Sequence, residues 1–244
     1  MIIVSMFAGI LCGQLINYLA DVLPGARQIT EPACGTCLQP YGLMDYLLIR
    51  PCPGCGQHRG RRTGVVLIIT TVLSLLLYHF PFSVYSYWAS LPILVFFGVI
   101  MVIDIEHRLV LFETSLFGLG MFLLYGWLGR GLRSTAAGGL AGFLIMIVLY
   151  LLGVGFTKLV GWIKHKKLSE VAFGFGDVFA GTFLGLLAGW PAIAGATIIA
   201  MLAFGGFSFV YLLFLLLTKR YQAFGNALPF VPFLVLGTIM IFYL

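Results

Sequence analysis

Two aspartates carry the chemistry that the rest of this chain has to position. Only four occur: Asp21, Asp45, Asp104 and Asp177. Asp104 follows the uncharged run 85–103, and Asp177, in Phe173-Gly174-Phe175-Gly176-Asp177, opens a run with no other charge until Lys219. A carboxylate at the edge of a membrane helix is costly, because the bilayer core offers no water to stabilise the anion. Each could be a solvated helix end, and Asp177 an N-cap, a position aspartates favour. Jointly they suggest more. If packing brings the two carboxyls together, both cannot ionise easily, so one keeps its proton while the other acts as base on a shared water. That is the chemistry of an aspartic protease, and it needs no metal.

A second group of residues has ligand chemistry. Cys34-Gly-Thr-Cys37 and Cys52-Pro-Gly-Cys55 are two CxxC knuckles separated by 14 residues. Four thiolates in this pattern suit a tetrahedral zinc or another thiophilic metal, with redox or disulfide use as the alternative. Four cysteines fill the coordination shell and leave no open position for water, so the expected role is structural: holding a loop too small to build its own core. Cys12, inside an apolar run, reads as a small core residue.

These residues sit in a chain that is 61% hydrophobic and 9% charged, against roughly a quarter charged for a soluble globular protein. The expected fold is an all-α polytopic membrane protein, because only helices or closed barrels satisfy the backbone in lipid. Eight apolar spans stand out, at about 2–20, 63–79, 85–104, 110–128, 136–157, 177–189, 192–217 and 227–244. The sixth is short and is divided from the seventh by the turn signal Gly189-Trp190-Pro191. With the N-terminus outside, the inside segments hold Arg27, Arg50, Arg59, Arg61, Arg62, Arg108, Lys158, Lys164, Lys166, Lys167, Lys219 and Arg220, and the outside segments only Arg130 and Arg133. That bias follows the positive-inside rule. It places Asp104 and Asp177 at the same cytoplasmic face, and the cysteine loop beside them on the reducing side, where disulfides are disfavoured. No basic residue precedes the first run, so it reads as a retained helix and not a secretory signal.

The remaining candidates have simpler readings. Gly181, Gly185 and Gly189, and Gly138 with Gly142, have the small-xxx-small spacing of close helix packing. Glu106 and Glu113 read as interfacial charges, and His107-Arg108 as a pair that could meet lipid phosphate. His58, His79 and His165 have no ligand spacing to one another, and Lys164-His165-Lys166-Lys167 reads as a topology signal facing anionic headgroups. No phosphate-binding glycine loop, His-based zinc protease motif or nucleophile elbow is present, and nothing calls for nucleic acid. The glycine ahead of Asp177 is expected to let the backbone approach a substrate strand.

Taken in order, these elements resemble the type IV prepilin peptidases, aspartic proteases of the GxGD class. Gly13-Gln-Leu-Ile-Asn17 with Leu23-Pro24 is similar to the family's G-x-x-x-N…L-P element, and the paired CxxC loop follows it. Ile103-Asp104-Ile-Glu106-His107 and Gly174-Phe-Gly176-Asp177 are similar to the two catalytic-aspartate motifs, and Leu228-Pro229-Phe230-Val-Pro232-Phe233-Leu234…Gly237 to the signature of the last helix. The resemblance implies Asp104 and Asp177 as the catalytic pair, Gly174 and Gly176 as motif support, and Cys34, Cys37, Cys52 and Cys55 as zinc ligands. It implies a bacterial inner-membrane enzyme that removes the leader of type IV prepilins and type II secretion pseudopilins at the cytoplasmic face. In bifunctional members, S-adenosylmethionine-dependent N-methylation of the new terminus follows. The chain departs from the family at Leu109–Phe112, where a proline is common, at Phe179, where a lysine is often found, and at Leu67, where a glutamate is expected. The implied organisation is a first transmembrane helix at 1–20, a loop domain at 21–62 and a seven-helix peptidase core at 63–244. The competing readings are a transporter whose aspartates relay cations, and a non-catalytic assembly factor with a zinc-held loop. A transporter would carry its ionisable residues near the midplane and show repeat symmetry.

Overall fold

The computed structural model describes residues 2–34, 36–40, 42–164, 174–218 and 228–243. The described residues form nine helices: α1 Ile2–Ala26, α2 Leu43–Leu47, α3 Arg61–His79, α4 Tyr87–His107, α5 Phe112–Arg130, α6 Leu132–Lys164, α7 Phe175–Ala188, α8 Ala192–Leu217 and α9 Val231–Tyr243. Helices occupy all eight of the apolar runs, and five of them, α1, α3, α4, α6 and α8, are long and apolar enough to cross a bilayer. The chain is a multi-pass membrane protein. The expected topology signal at His165–Lys167, and the basic pair Lys219 and Arg220, lie outside the described residues.

Helix ends differ from the apolar runs in ways that matter for chemistry. The polar residues Glu106 and His107 continue α4 past the uncharged run, so Asp104 lies inside its last turn. Phe175 starts α7 two residues ahead of Asp177, so Asp177 is within the helix and not at its mouth. The first helix also runs past residue 20, carrying Asp21 and Pro24 in its final turns.

The chain divides into two compact units, Met1–Ile103 and Asp104–Leu244. In the first, α1 packs on α3. Gly13 permits the approach, since a Cβ there would overlap the Thr70 hydroxyl. Several polar groups along the seam find backbone partners, which lowers the cost of burying them: Ser74 Oγ donates to Ser5 O at 2.9 Å, and Asn17 Nδ2 donates to Gly13 O at 3.0 Å. The cysteine loop rests on the last turns of α1. Gln14 Nε2 donates to Leu47 O at 2.9 Å, and Tyr18 meets Tyr46 edge-to-face at 5.9 Å. Asp21 accepts from Tyr46 Oη, Arg59 and Arg62, and the Arg59 guanidinium also lies 3.7 Å over the Tyr46 ring.

The second unit is built around α7, which packs against α5, α6, α8 and α9. Its Val178, Ala180, Phe183, Leu184, Leu187 and Ala188 are all buried. Its glycines face α6: a Cβ at Gly142 would overlap the Gly181 carbonyl, and one at Gly138 the Gly185 carbonyl. Backbones that close admit nothing larger than hydrogen, as the small-xxx-small spacing anticipates. Gly131, at φ 83°, turns α5 into α6, and Gly189, at φ 74°, turns α7 toward α8.

Candidate active site and cysteine cluster

Asp104 is buried in the last turn of α4. The start of α9 supplies its partner: the backbone amide of Val231 acts on the carboxyl as a hydrogen-bond donor. Val231 is the first residue of that helix, where amide groups lack intrahelical acceptors and carry partial positive charge. Pro232 next to it has no N–H. The second oxygen, Asp104 Oδ2, is buried with no hydrogen-bond partner among the described residues.

Asp177 is the third residue of α7, and Gly174, with extended φ −80° and ψ 157°, is the N-cap. The Gly174 N–H donates to Asp177 Oδ2 at 2.9 Å, and the Asp177 N–H donates to Gly174 O at 3.0 Å. This is the side-chain half of a capping box, with the aspartate at N3 reaching back to the cap. Asp177 therefore does structural work with one oxygen, but not as the N-cap its sequence position allowed. Gly176 has a packing task beside the one expected. A Cβ there would lie 2.7 Å from Val110 Cβ, so the glycine lets α7 seat against the chain segment that leaves α4.

Three chain segments thus meet: Asp104–Val110, Gly174–Asp177 and Leu228–Phe230. Together they line a cavity of about 310 Å³ whose charged side chains, among the described residues, are Asp104, Asp177 and Arg108. Asp177 acts electrostatically on Asp104. Two carboxyls in one cavity, one with an unpartnered oxygen, can divide acid and base roles over a single water. The structure brings together Asp104, Asp177, Gly174 and Gly176. Glu106 and Glu113 are exposed and take no part in the lining. Arg108, read with His107 as a pair that could meet lipid phosphate, lines the cavity, and Val231 had no expected role. A cation four residues after Asp104, just past the end of α4, and a residue in the Pro229–Pro232 stretch were the available signals. Phe179 meets Phe112 at 6.1 Å and Phe175 at 5.5 Å, both edge-to-face. Two of the chain's departures from the family pattern, at Leu109–Phe112 and at Phe179, therefore pack on each other.

The cysteine knuckles repeat one geometry. The Cys34 N–H donates to Gln39 O at 2.9 Å and the Leu38 N–H to Cys34 O at 2.9 Å. In the second knuckle, Cys52 donates to Gln57 O at 3.0 Å and Gly56 to Cys52 O at 2.8 Å. Leu38 at φ 59° and Gly56 at φ 69° are the matching left-handed residues. All four sulfurs lie within 4.8 Å of one another, with Cys34–Cys55 and Cys37–Cys52 at 3.6 Å. A tetrahedral zinc with bonds near 2.3 Å needs sulfurs about 3.8 Å apart, so the residues fit the ion. Backbone N–H groups of Cys37 and Thr36 pointing at Cys34 pull its thiol down to about 6, and that of Cys55 lowers Cys52. Both shifts favour the thiolate a metal binds, whereas burial and the three neighbouring thiols push Cys55 up to about 12. Cys34, Cys52 and Tyr46 form a very small buried cluster with Tyr18 against it.

Residues 91–210, just under half of the 244-residue chain, match the type IV leader peptidase family. The match includes Asp104 and Asp177 and bears out the resemblance carried by the sequence motifs. Comparison with curated proteins and with solved structures returns no match.

Proposed function

From a chain whose 91–210 region matches the type IV leader peptidase family, we propose an aspartic endopeptidase of the membrane that uses Asp104 and Asp177 as its acid–base pair. One observation carries this reading: both carboxyls line a single cavity assembled from the ends of α4, α7 and α9. In the proposed reaction one carboxylate takes a proton from water, which attacks the scissile carbonyl. The other carboxyl gives its proton as the tetrahedral species forms, and the leaving amine is protonated as the bond breaks. The backbone donors at Gly174 and Val231 orient the pair, and preorganised dipoles of this kind need not rearrange during reaction.

The proposed substrates are type IV prepilins and type II secretion pseudopilins, cut at the cytoplasmic face of a bacterial inner membrane by a protein with eight membrane helices. The family match supports the leader-peptidase class, and the basic-residue bias supports the side. Cys34, Cys37, Cys52 and Cys55 are proposed to hold one structural zinc, which would supply the loop with the stability its minimal core lacks. Methylation of the new N-terminus rests on the motif resemblance, and its test is one added methyl on processed pilin by mass spectrometry.

The deciding experiment is cleavage of a full-length prepilin in nanodiscs by wild type, Asp104→Asn and Asp177→Asn. Each single change is expected to abolish processing while the protein remains folded and extractable. Substantial cleavage by either variant would sink the pair and favour an assembly factor without catalysis.

A further inference from the structure

The cavity has a third charged member that the acid–base pair leaves unexplained. Arg108 follows the last residue of α4 and is exposed at the cavity wall. Its φ of 54° lies in the left-handed region, which residues other than glycine seldom adopt. Such strain persists where the surrounding structure holds it, and it gathers at functional places. Here the turn is tied to the aspartate itself, because the Arg108 N–H donates to the Asp104 carbonyl oxygen at 2.9 Å. Arg108 makes no ion pair with any described residue, yet its charge acts on the Asp104 carboxyl. Among the described residues, the other charged groups nearby stay out of the cavity: Glu106 and His107 on α4, and Glu113 on α5, are exposed and absent from its lining. From α7 the cavity receives Asp177, and from the described residues at the α9 end no charged side chain.

Two carboxyls in one cavity repel when both are ionised, and a cation at the same cavity offsets that repulsion. On the reading that Asp104 and Asp177 are the catalytic pair, we propose that Arg108 is a positioning residue of the peptidase site. From the cavity wall its positive charge holds the Asp104 carboxyl in its reactive charge state and orientation. The strained turn keeps the guanidinium there. A glycine would fit the backbone better, so the arginine is held here at a conformational cost.

Prepilin cleavage by full-length Arg108→Gly, Arg108→Gln and Arg108→Lys, with Asp104→Asn alongside, tests the proposal. Arg108→Gly relieves the left-handed strain, so its thermal stability in detergent should equal or exceed that of wild type. Its kcat should nonetheless fall by about tenfold or more, with KM nearly unchanged, as expected when a group acts on the reacting carboxyls and not on substrate binding. Arg108→Gln should match it, and Arg108→Lys should recover most of the turnover by restoring the charge. Wild-type kcat in Arg108→Gly, a loss confined to KM, or a lysine variant no better than glutamine would each overturn the proposal. The control separates it from the reading beneath it. If Asp104→Asn still cleaves, the catalytic pair itself is wrong; if that variant is dead while Arg108→Gly has wild-type turnover, only the role of Arg108 falls.

Discussion

Replacing Gly176 with alanine would place a methyl group 2.7 Å from Val110 Cβ. Carbon atoms rest at about 3.5–4.0 Å, so α7 and the segment after α4 must part by about 1 Å. Asp177, one residue further on, would move with α7 away from Asp104. A shift of that size at reacting groups costs on the order of a hundredfold in rate, while overpacking costs about 1–3 kcal/mol of stability. The structure also says which second change should repair the damage. Val110→Ala keeps the Cβ and therefore the clash. Val110→Gly removes it, and the nearest remaining Val110 atom is then Cα at 3.6 Å, an ordinary contact. The assay is prepilin cleavage by Gly176→Ala alone and combined with each Val110 change, with thermal unfolding in detergent as the folding control. The expected order of turnover is Gly176→Ala with Val110→Gly well above both Gly176→Ala and its combination with Val110→Ala. Full activity in Gly176→Ala, or equal rescue by the two Val110 changes, would refute the packing argument.

Zinc should be found at about one ion per chain and be lost when Cys34 and Cys37 become serine, by metal analysis of purified protein. Leu38→Gly removes left-handed strain of about 1 kcal/mol, partly offset by the freedom of glycine in the unfolded loop, so zinc should be retained against a chelator at least as well as in wild type. Gly56→Leu, which has open space for its Cβ but the wrong φ, should release zinc more readily. Gly142→Ala should lower thermal stability by about 1–3 kcal/mol, because its methyl meets backbone that cannot yield, whereas Gly155→Ala on the same helix has nothing within 4 Å and should be neutral or slightly stabilising.

What could be read from the chain and what could not divide along a physical line. Side-chain identity at fixed spacing was legible. The glycines at 138, 142, 181 and 185 do let α6 and α7 approach closely, and the four cysteines do converge. Asp104 and Asp177, 73 positions apart in sequence, do share a cavity, which follows from each lying near a helix end on one side of an apolar run. Contributions of the backbone were not legible. The Val231 amide, the left-handed turns at Leu38 and Arg108, and the contact of Gly176 with Val110 depend on where distant segments end in space. Helix ends were misjudged by a few residues, because hydropathy marks where lipid stops and helices continue through polar residues such as Glu106 and His107.

The donor that Val231 offers to Asp104 belongs to the main chain and not to any side chain. A scan of alanine substitutions would report only how well position 231 fills its buried site and would leave the donor untouched. Of the coded amino acids, proline alone lacks the hydrogen, and an amide-to-ester exchange at this bond would delete it with the side chain intact. The site therefore has a component that drift in residue identity at 231 cannot wear away short of a proline, while the prolines at 229 and 232 help fix where that component points.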